Sequence, residues 1–218
     1  MDTEDLRLAV YLHLADTGRA PVTGALAAVF DVDEDEVVEG LEALHDARHI
    51  VLRDGMVVMA HPFATIPLGF SVMGAYTLWW GGCAWDSFAL PHLLPDEDEV
   101  LVATTCPGCG AALSWVVGTD APPEGDEVAH FLVPTSHIWD DVVHTCGHQR
   151  LFCSAACVDQ WLAASGNDPG YVMDLPTLWR LARGWYAGRL ERGYVRREPA
   201  DAHAYFAEVG LEGEFWGL

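Results

Sequence analysis

Two short segments hold the residues best suited to chemistry. Gly81-Gly82-Cys83-Ala84-Trp85-Asp86 offers a thiol and a carboxyl group three residues apart, and His144-Thr145-Cys146-Gly147-His148 offers a second thiol. A Gly-Gly turn suits a loop running into a helix, and on a helix starting there Cys83 and Asp86 share one face. The positive end of a helix favours the charged form of a thiol, so Cys83 is expected to tend toward thiolate. With Cys146 brought alongside by the fold, two soft sulfur ligands and an acid suit a soft metal centre, one of whose bonds must be protonated. Burial beside an apolar group such as Trp85 would raise the pKa of Asp86 and keep a proton available there.

The other four cysteines form two pairs. Cys106-Pro107-Gly108-Cys109 has the spacing and the Pro-Gly of a metal knuckle, and Cys153-x-x-x-Cys157 runs into a helix. Together they can give four thiolates to a tetrahedral structural zinc; otherwise they are small buried apolar side chains. Cys153 or Cys157 could also replace Cys146 as the second reactive thiol, but choosing Cys146 leaves both pairs complete. His144 and His148 flank Cys146 and could ligate or tune it, or be merely structural. No phosphate-binding Gly-x-x-x-x-Gly-Lys loop, nucleophile elbow or His-Glu-x-x-His is present.

In several segments the chain resembles the organomercurial (alkylmercury) lyases. Cys83-Ala84-Trp85-Asp86 fits that family's first motif, Ser87-Phe88-Ala89-Leu90-Pro91 fits the run after that motif, and Cys146 leads through His148 to Phe152-Cys153-Ser154. The order of these segments carries the likeness, which runs from about residue 5 to 195. It implies protonolysis of a carbon–mercury bond, with Cys83 and Cys146 holding mercury and Asp86 relaying a proton. The products would be a hydrocarbon and Hg(II), as in mercury detoxification. It implies no cofactor for catalysis, external thiols to remove Hg(II), and hand-off of the ion to a mercuric reductase or cellular thiols. The family has a non-catalytic cysteine near Cys106 but not the set of four. The competing reading is a non-catalytic cysteine-rich protein that binds or senses zinc or copper; it gives Asp86 nothing to do. A thiol oxidoreductase built on Cys106 and Cys109 lacks the surrounding βαβ pattern.

Composition narrows the partners. The chain has 218 residues, 51% of them hydrophobic, and a formal charge of −22, with arginine as its sole strongly basic residue. Such a chain can fill a real core, and it repels nucleic acid and anionic membrane. The most apolar stretch, Ile66 to Ala84, is interrupted by Pro67 and four glycines, so it suits strand and turn and not a bilayer span. The acidic start, Met1 to Asp5, is unlike a signal peptide. A cytoplasmic location is expected, where six cysteines point to metal or catalysis before disulfides.

These residues need elements to position them. Residues 4–60 suggest three helices: an apolar stripe of Leu6, Val10, Leu12 and Leu14; a segment capped by Thr23 and running to Phe30; and one opened by Asp33, with Val37, Val38, Leu41 and Leu44 inward. A hairpin comes next, around Arg53-Asp54-Gly55. Three helices and a hairpin make a winged-helix-like module, but Asp33 to Glu36 would face phosphates, which argues against DNA binding. Short strands are expected at 70–72, 76–78, 100–104, 112–117 and 129–133, and helices at 83–92, 155–164 and 175–192. The expected class is α+β: a winged-helix-like module (1–62) packed on a mixed or antiparallel-sheet catalytic domain (63–197), with a tail (198–218) docking through Phe215-Trp216.

Overall fold

In the computed structural model, which describes residues 1–218, the chain begins with three helices. Helix α1 (Thr3–Thr17) is capped by Asp2, whose carboxylate accepts from the Glu4 and Asp5 N–H groups, and it ends at Gly18 in the left-handed region. Helix α2 spans Thr23–Phe30; its cap is Val22 and not the expected Thr23, and no side chain serves it. Helix α3 (Glu34–Asp46) is capped by Asp33, which accepts from the Glu36 N–H at 2.9 Å. Leu6, Val10, Leu14, Val37, Leu41 and Leu44 point inward, whereas Leu12 and Val38, expected inside, face solvent. Tyr11 and Arg7 take the inner face of α1 instead; Arg7 donates to the backbone oxygens of Arg189 and Glu191.

Strands β1 (Val51–Arg53) and β2 (Met56–Ala60) form the hairpin, with Asp54 and Gly55 both at positive φ, as a tight turn between twisted strands requires. The pair continues through β3 (Phe63–Ala64), β4 (Phe70–Met73), β5 (Leu78–Gly81), β6 (Glu99–Thr105) and β7 (Ala112–Gly118) into one antiparallel sheet, ordered β1-β2-β3-β5-β4-β6-β7. The expected boundary at residue 62 therefore falls inside a sheet, and one core of 48 buried residues includes side chains from both sides of it. The Trp79 indole locks β5 to α1 by donating to the Leu14 and Ala15 carbonyls.

A second antiparallel sheet, ordered β10-β8-β9, uses β8 (Val128–Phe131), β9 (Gln149–Phe152) and β10 (Tyr171–Asp174). Helix α4 (Ala84–Leu93) packs against the large sheet and against α7 (Leu175–Trp185), with every residue from Ala84 to Pro91 buried. Burying a large apolar side chain contributes about 1.5–3 kcal/mol, so Trp85, Phe88 and Leu90 make α4 a firm support. Helix α6 (Ala155–Ser165) comes after β9, and the short α5 (Val142–Gly147) precedes it.

The periodicity of 175–192 suggests one long helix, but α7 stops at Trp185. The chain then turns through Gly188, whose φ of +76° an ordinary residue adopts only with strain. The last segment is more than a tail: it folds into α8 (Pro199–Glu208), and Trp216 packs fully buried against Phe206, Phe131 and Trp85. No helix is long and apolar enough to cross a membrane.

Candidate active site

The two glycines before Cys83 are there for close approach. A Cβ on Gly81 would lie 2.0 Å from Ser87 Oγ, and one on Gly82 would lie 2.2 Å from Asp86 Oδ2. Strand β5 can thus run directly against the first turn of α4. Cys83 is the N-cap of that helix: its Sγ accepts from the Asp86 N–H at 3.3 Å, and its carbonyl accepts from Ser87 Oγ at 2.6 Å. The thiol and the carboxyl group of the Cys-x-x-Asp motif are fixed on one turn.

Cys146 arrives on α5. Asp141 caps this helix by accepting from the His144 N–H at 3.0 Å, and Thr145 Oγ1 donates back to the Ile138 and Asp141 carbonyls. Cys146 Sγ lies 3.4 Å from Nε2 of His61, which sits in the turn between β2 and β3. Ligand atoms of His61, Asp86 and Cys146 all lie within 4.8 Å of one another, and Cys83 lines the same pocket. The pocket holds about 90 Å³ and is walled by aromatic side chains, among them Trp85, Trp139 and Trp185, with Arg196 and Arg197 also contributing. Cys153 and Cys157 lie elsewhere, beside Cys106 and Cys109. His144 and His148 face each other outside the pocket, with ring centres 4.1 Å apart.

Three residues of the site carry no signal in the sequence. Tyr186, just past α7, donates its hydroxyl hydrogen to Asp86 Oδ1, while Asp86 Oδ2 is buried with no partner. Arg189 is buried without a carboxylate partner; it donates to the His61 carbonyl at 2.8 Å and to the Tyr194 hydroxyl at 2.6 Å, and its guanidinium lies 4.6 Å from the Tyr186 ring centre. His61 is the third. Each lies remote in sequence from both cysteine segments and in no recognisable motif, so nothing but the fold could join them to the site.

The electrostatics reflect burial. Asp86 is pushed up to about 7 by desolvation, although Tyr186, the nearby Cys83 thiol and Arg189 all pull it down. The expectation of a thiolate at Cys83 is overturned: burial, the Cys146 thiol and the Asp86 carboxylate raise its pKa well above the usual thiol range. The single N–H bond at the helix end does not offset complete removal from water. Cys146 gains from its interaction with Cys83, but burial and Asp86 still push it up. His61 falls to about 3 through burial and the nearby Arg189 and Arg196 charges, so its imidazole is neutral. At neutral pH the pocket therefore holds two protonated thiols, a carboxyl group that titrates near neutrality, and a neutral imidazole. Such a set can capture a soft cation by exchanging it for thiol protons and can return one of those protons to a bound group.

A family model described as "MerB: Alkylmercury lyase" matches residues 63–187. Among solved structures, the mercury-bound form of MerB2 is similar, with a TM-score of 0.62 and 17% identity over 83% of this chain and 87% of that one. At that identity the likeness speaks for a shared α+β fold. No curated protein sequence matches the chain.

Proposed function

The chain belongs to the alkylmercury lyase family, and from that premise we propose how its residues cleave organomercurials. It is an organomercurial lyase: it splits a carbon–mercury bond and gives a hydrocarbon and Hg(II). The observation that supports the residue roles is the meeting of Cys83, Cys146 and Asp86 in one buried pocket, with Asp86 near neutrality.

An organomercury cation enters the aromatic pocket and exchanges for the proton of one thiol, forming a sulfur–mercury bond. The ionised fraction of Asp86 takes that proton. The second thiol loses its own proton and adds to mercury, raising electron density on the metal and weakening the carbon–mercury bond. The bond breaks with its electron pair on carbon, and Asp86 delivers a proton there. In sum, one organomercury cation and two thiols give a hydrocarbon, a bis-thiolate Hg(II) and one released proton. External thiols then remove Hg(II), and cellular thiols or a mercuric reductase receive it as part of mercury resistance in the cytoplasm. Tyr186 orients Asp86, and Arg189 supplies positive charge while the carboxylate is ionised.

We divide the chain by role, across one shared sheet and core, into a winged-helix-like module (1–62), a catalytic part (63–197) and a docked C-terminal segment (198–218). The first module serves as packing support, since Glu34, Asp35 and Glu36 occupy the first turn of α3 and would repel DNA. The test is hydrocarbon release from phenylmercury or methylmercury in excess thiol. The wild type should release benzene or methane. Cys83→Ala should release none and hold the organomercurial more weakly, whereas Asp86→Asn should accumulate a bound, uncleaved adduct detectable by mass spectrometry. Mercury binding with no hydrocarbon from either substrate overturns the reading. Wild-type turnover by Asp86→Asn removes Asp86 from the proton path.

A further inference from the structure

Away from the mercury pocket, four sulfurs converge where the two sheets meet. Cys106 leaves β6 and opens a tight knuckle: its N–H donates to the Ala111 carbonyl, its carbonyl accepts from the Gly110 N–H, both at 2.9 Å, and Gly110 sits at φ +77°. Cys109 ends the Cys-Pro-Gly-Cys segment. Cys153 comes directly after β9, and Cys157 sits in the first turn of α6. All four sulfurs lie within 4.8 Å of one another, and those of Cys109 and Cys153 are 3.5 Å apart. A tetrahedral zinc with Zn–S bonds of about 2.3 Å separates its sulfurs by about 3.8 Å, which falls inside the observed span.

Two further features are built around the cluster. A Cβ on Gly108 would lie 2.2 Å from the Cys157 carbonyl oxygen and 2.9 Å from its Cα, so the knuckle and α6 approach backbone to backbone and glycine alone fits. The lining is apolar, with Phe152 and Val158 buried against Cys106 and no carboxylate in the cluster. Four free thiols crowded this closely make a poor apolar core, whereas four thiolates at these separations make a closed site for a soft or borderline divalent cation.

We propose that Cys106, Cys109, Cys153 and Cys157 bind one structural Zn²⁺, which clamps the β6–β7 tip to the β9–α6 junction and thereby fixes the far end of the strand leading from Cys146. The near end of that strand continues directly from Cys146 through His148 into β9. Its middle is held separately by Arg150, which donates to the Leu68 carbonyl at 2.8 Å. The metal touches no reacting atom and positions the mercury ligand through the chain. Zinc binding by the four cysteines does not rest on the mercury reading; the positioning of Cys146 as a mercury ligand does.

The test uses the full chain purified in the presence of a reducing thiol. Metal analysis should find one zinc per chain in the wild type, Cys83→Ala and Cys146→Ala, and none in Cys106→Ser or Cys157→Ser. Should the serine variants fail to fold, the wild type decides. Replacing zinc by Co²⁺ should give thiolate-to-cobalt charge-transfer bands and tetrahedral visible bands. Maleimide labelling read by peptide mass spectrometry should spare the four cysteines until a chelator is added. Zinc that disappears with Cys83→Ala and Cys146→Ala, a Cys109–Cys153 disulfide in place of metal, or labelling unchanged by chelator overturns the proposal.

Discussion

Replacing Asp86 by asparagine should make the folded chain more stable at neutral pH and leave its stability nearly unchanged in acid. Asp86 titrates at about 7 in the folded chain because burial disfavours its charge, whereas an unfolded aspartate titrates at about 3.9. Below about pH 4 both states hold the proton, and the wild type carries no penalty. Between about pH 4 and 7 the unfolded chain releases the proton while the folded chain keeps it, so wild-type stability falls as pH rises. Above about 7 both states are ionised and the penalty is complete. Three pH units at 1.36 kcal/mol each make it about 4 kcal/mol. Asparagine does not titrate, and its oxygen can still accept from Tyr186, so it escapes the penalty with little change of shape. Urea unfolding of both proteins at several pH values measures the difference directly. It should be small near pH 4 and grow to about 4 kcal/mol by pH 8. A difference that stays flat would mean that Asp86 is ionised in the folded chain throughout, and the neutral acid assigned to carbon would not exist.

Two other substitutions test its surroundings. Tyr186→Phe removes the hydrogen bond that favours the ionised form of Asp86; the pH midpoint of the Asp86 titration, read from the same unfolding series, should move upward by about one pH unit or more. Gly82→Ala places a Cβ 2.2 Å from Asp86 Oδ2 and 2.7 Å from Met59 Cε. It should cost about 1–3 kcal/mol of stability and most of the turnover, while Gly147→Ala, with nothing within 4 Å of its added carbon, should change stability little.

Local signals are legible wherever neighbours in sequence do the work. The Asp54-Gly55 turn, the Asp33 cap and the β6–β7 pair around the cysteine knuckle all stand where the residues indicate. So does the run of Gly-Gly into a helix at Cys83. What stays hidden depends on tertiary contact. Helix α5 has six residues, too few to show a period, and β9 and β10 are four residues each, paired to strands remote in sequence. Helix α8 mixes Ala, Asp and Tyr without a clear stripe, and the packing of Phe206 on Trp185 and Trp216 gives it an inner face. His61 reaches the site from one turn, and Tyr186 and Arg189 from another, which the Arg189 N–H closes on the Tyr186 carbonyl at 3.1 Å. The charge state of Cys83 departs from expectation for a related reason: the cap at a helix end is visible in sequence, whereas complete burial is a property of the fold.

That correction changes where the protons come from. With ionised thiols at rest, the site would hold two negative charges beside Asp86 inside a chain already carrying −22, and Arg189 would be the buried cation facing them. Burial forbids this, and both thiols keep their hydrogens. In the proposed reaction the attacking thiol must therefore shed a proton as mercury binds, at the very place where carbon later needs one. Asp86 lies on the same helical turn as Cys83, its Oδ2 is free, and its pKa of about 7 lets it accept and release a proton at similar cost. The two thiols supply two protons and the carbon consumes one, so one proton must leave per turnover. In the proposed reaction the burial of these groups among aromatic side chains would serve in two ways: it keeps the thiols neutral until a soft cation displaces their hydrogens, and it limits the access of bulk water to the proton assigned to Asp86.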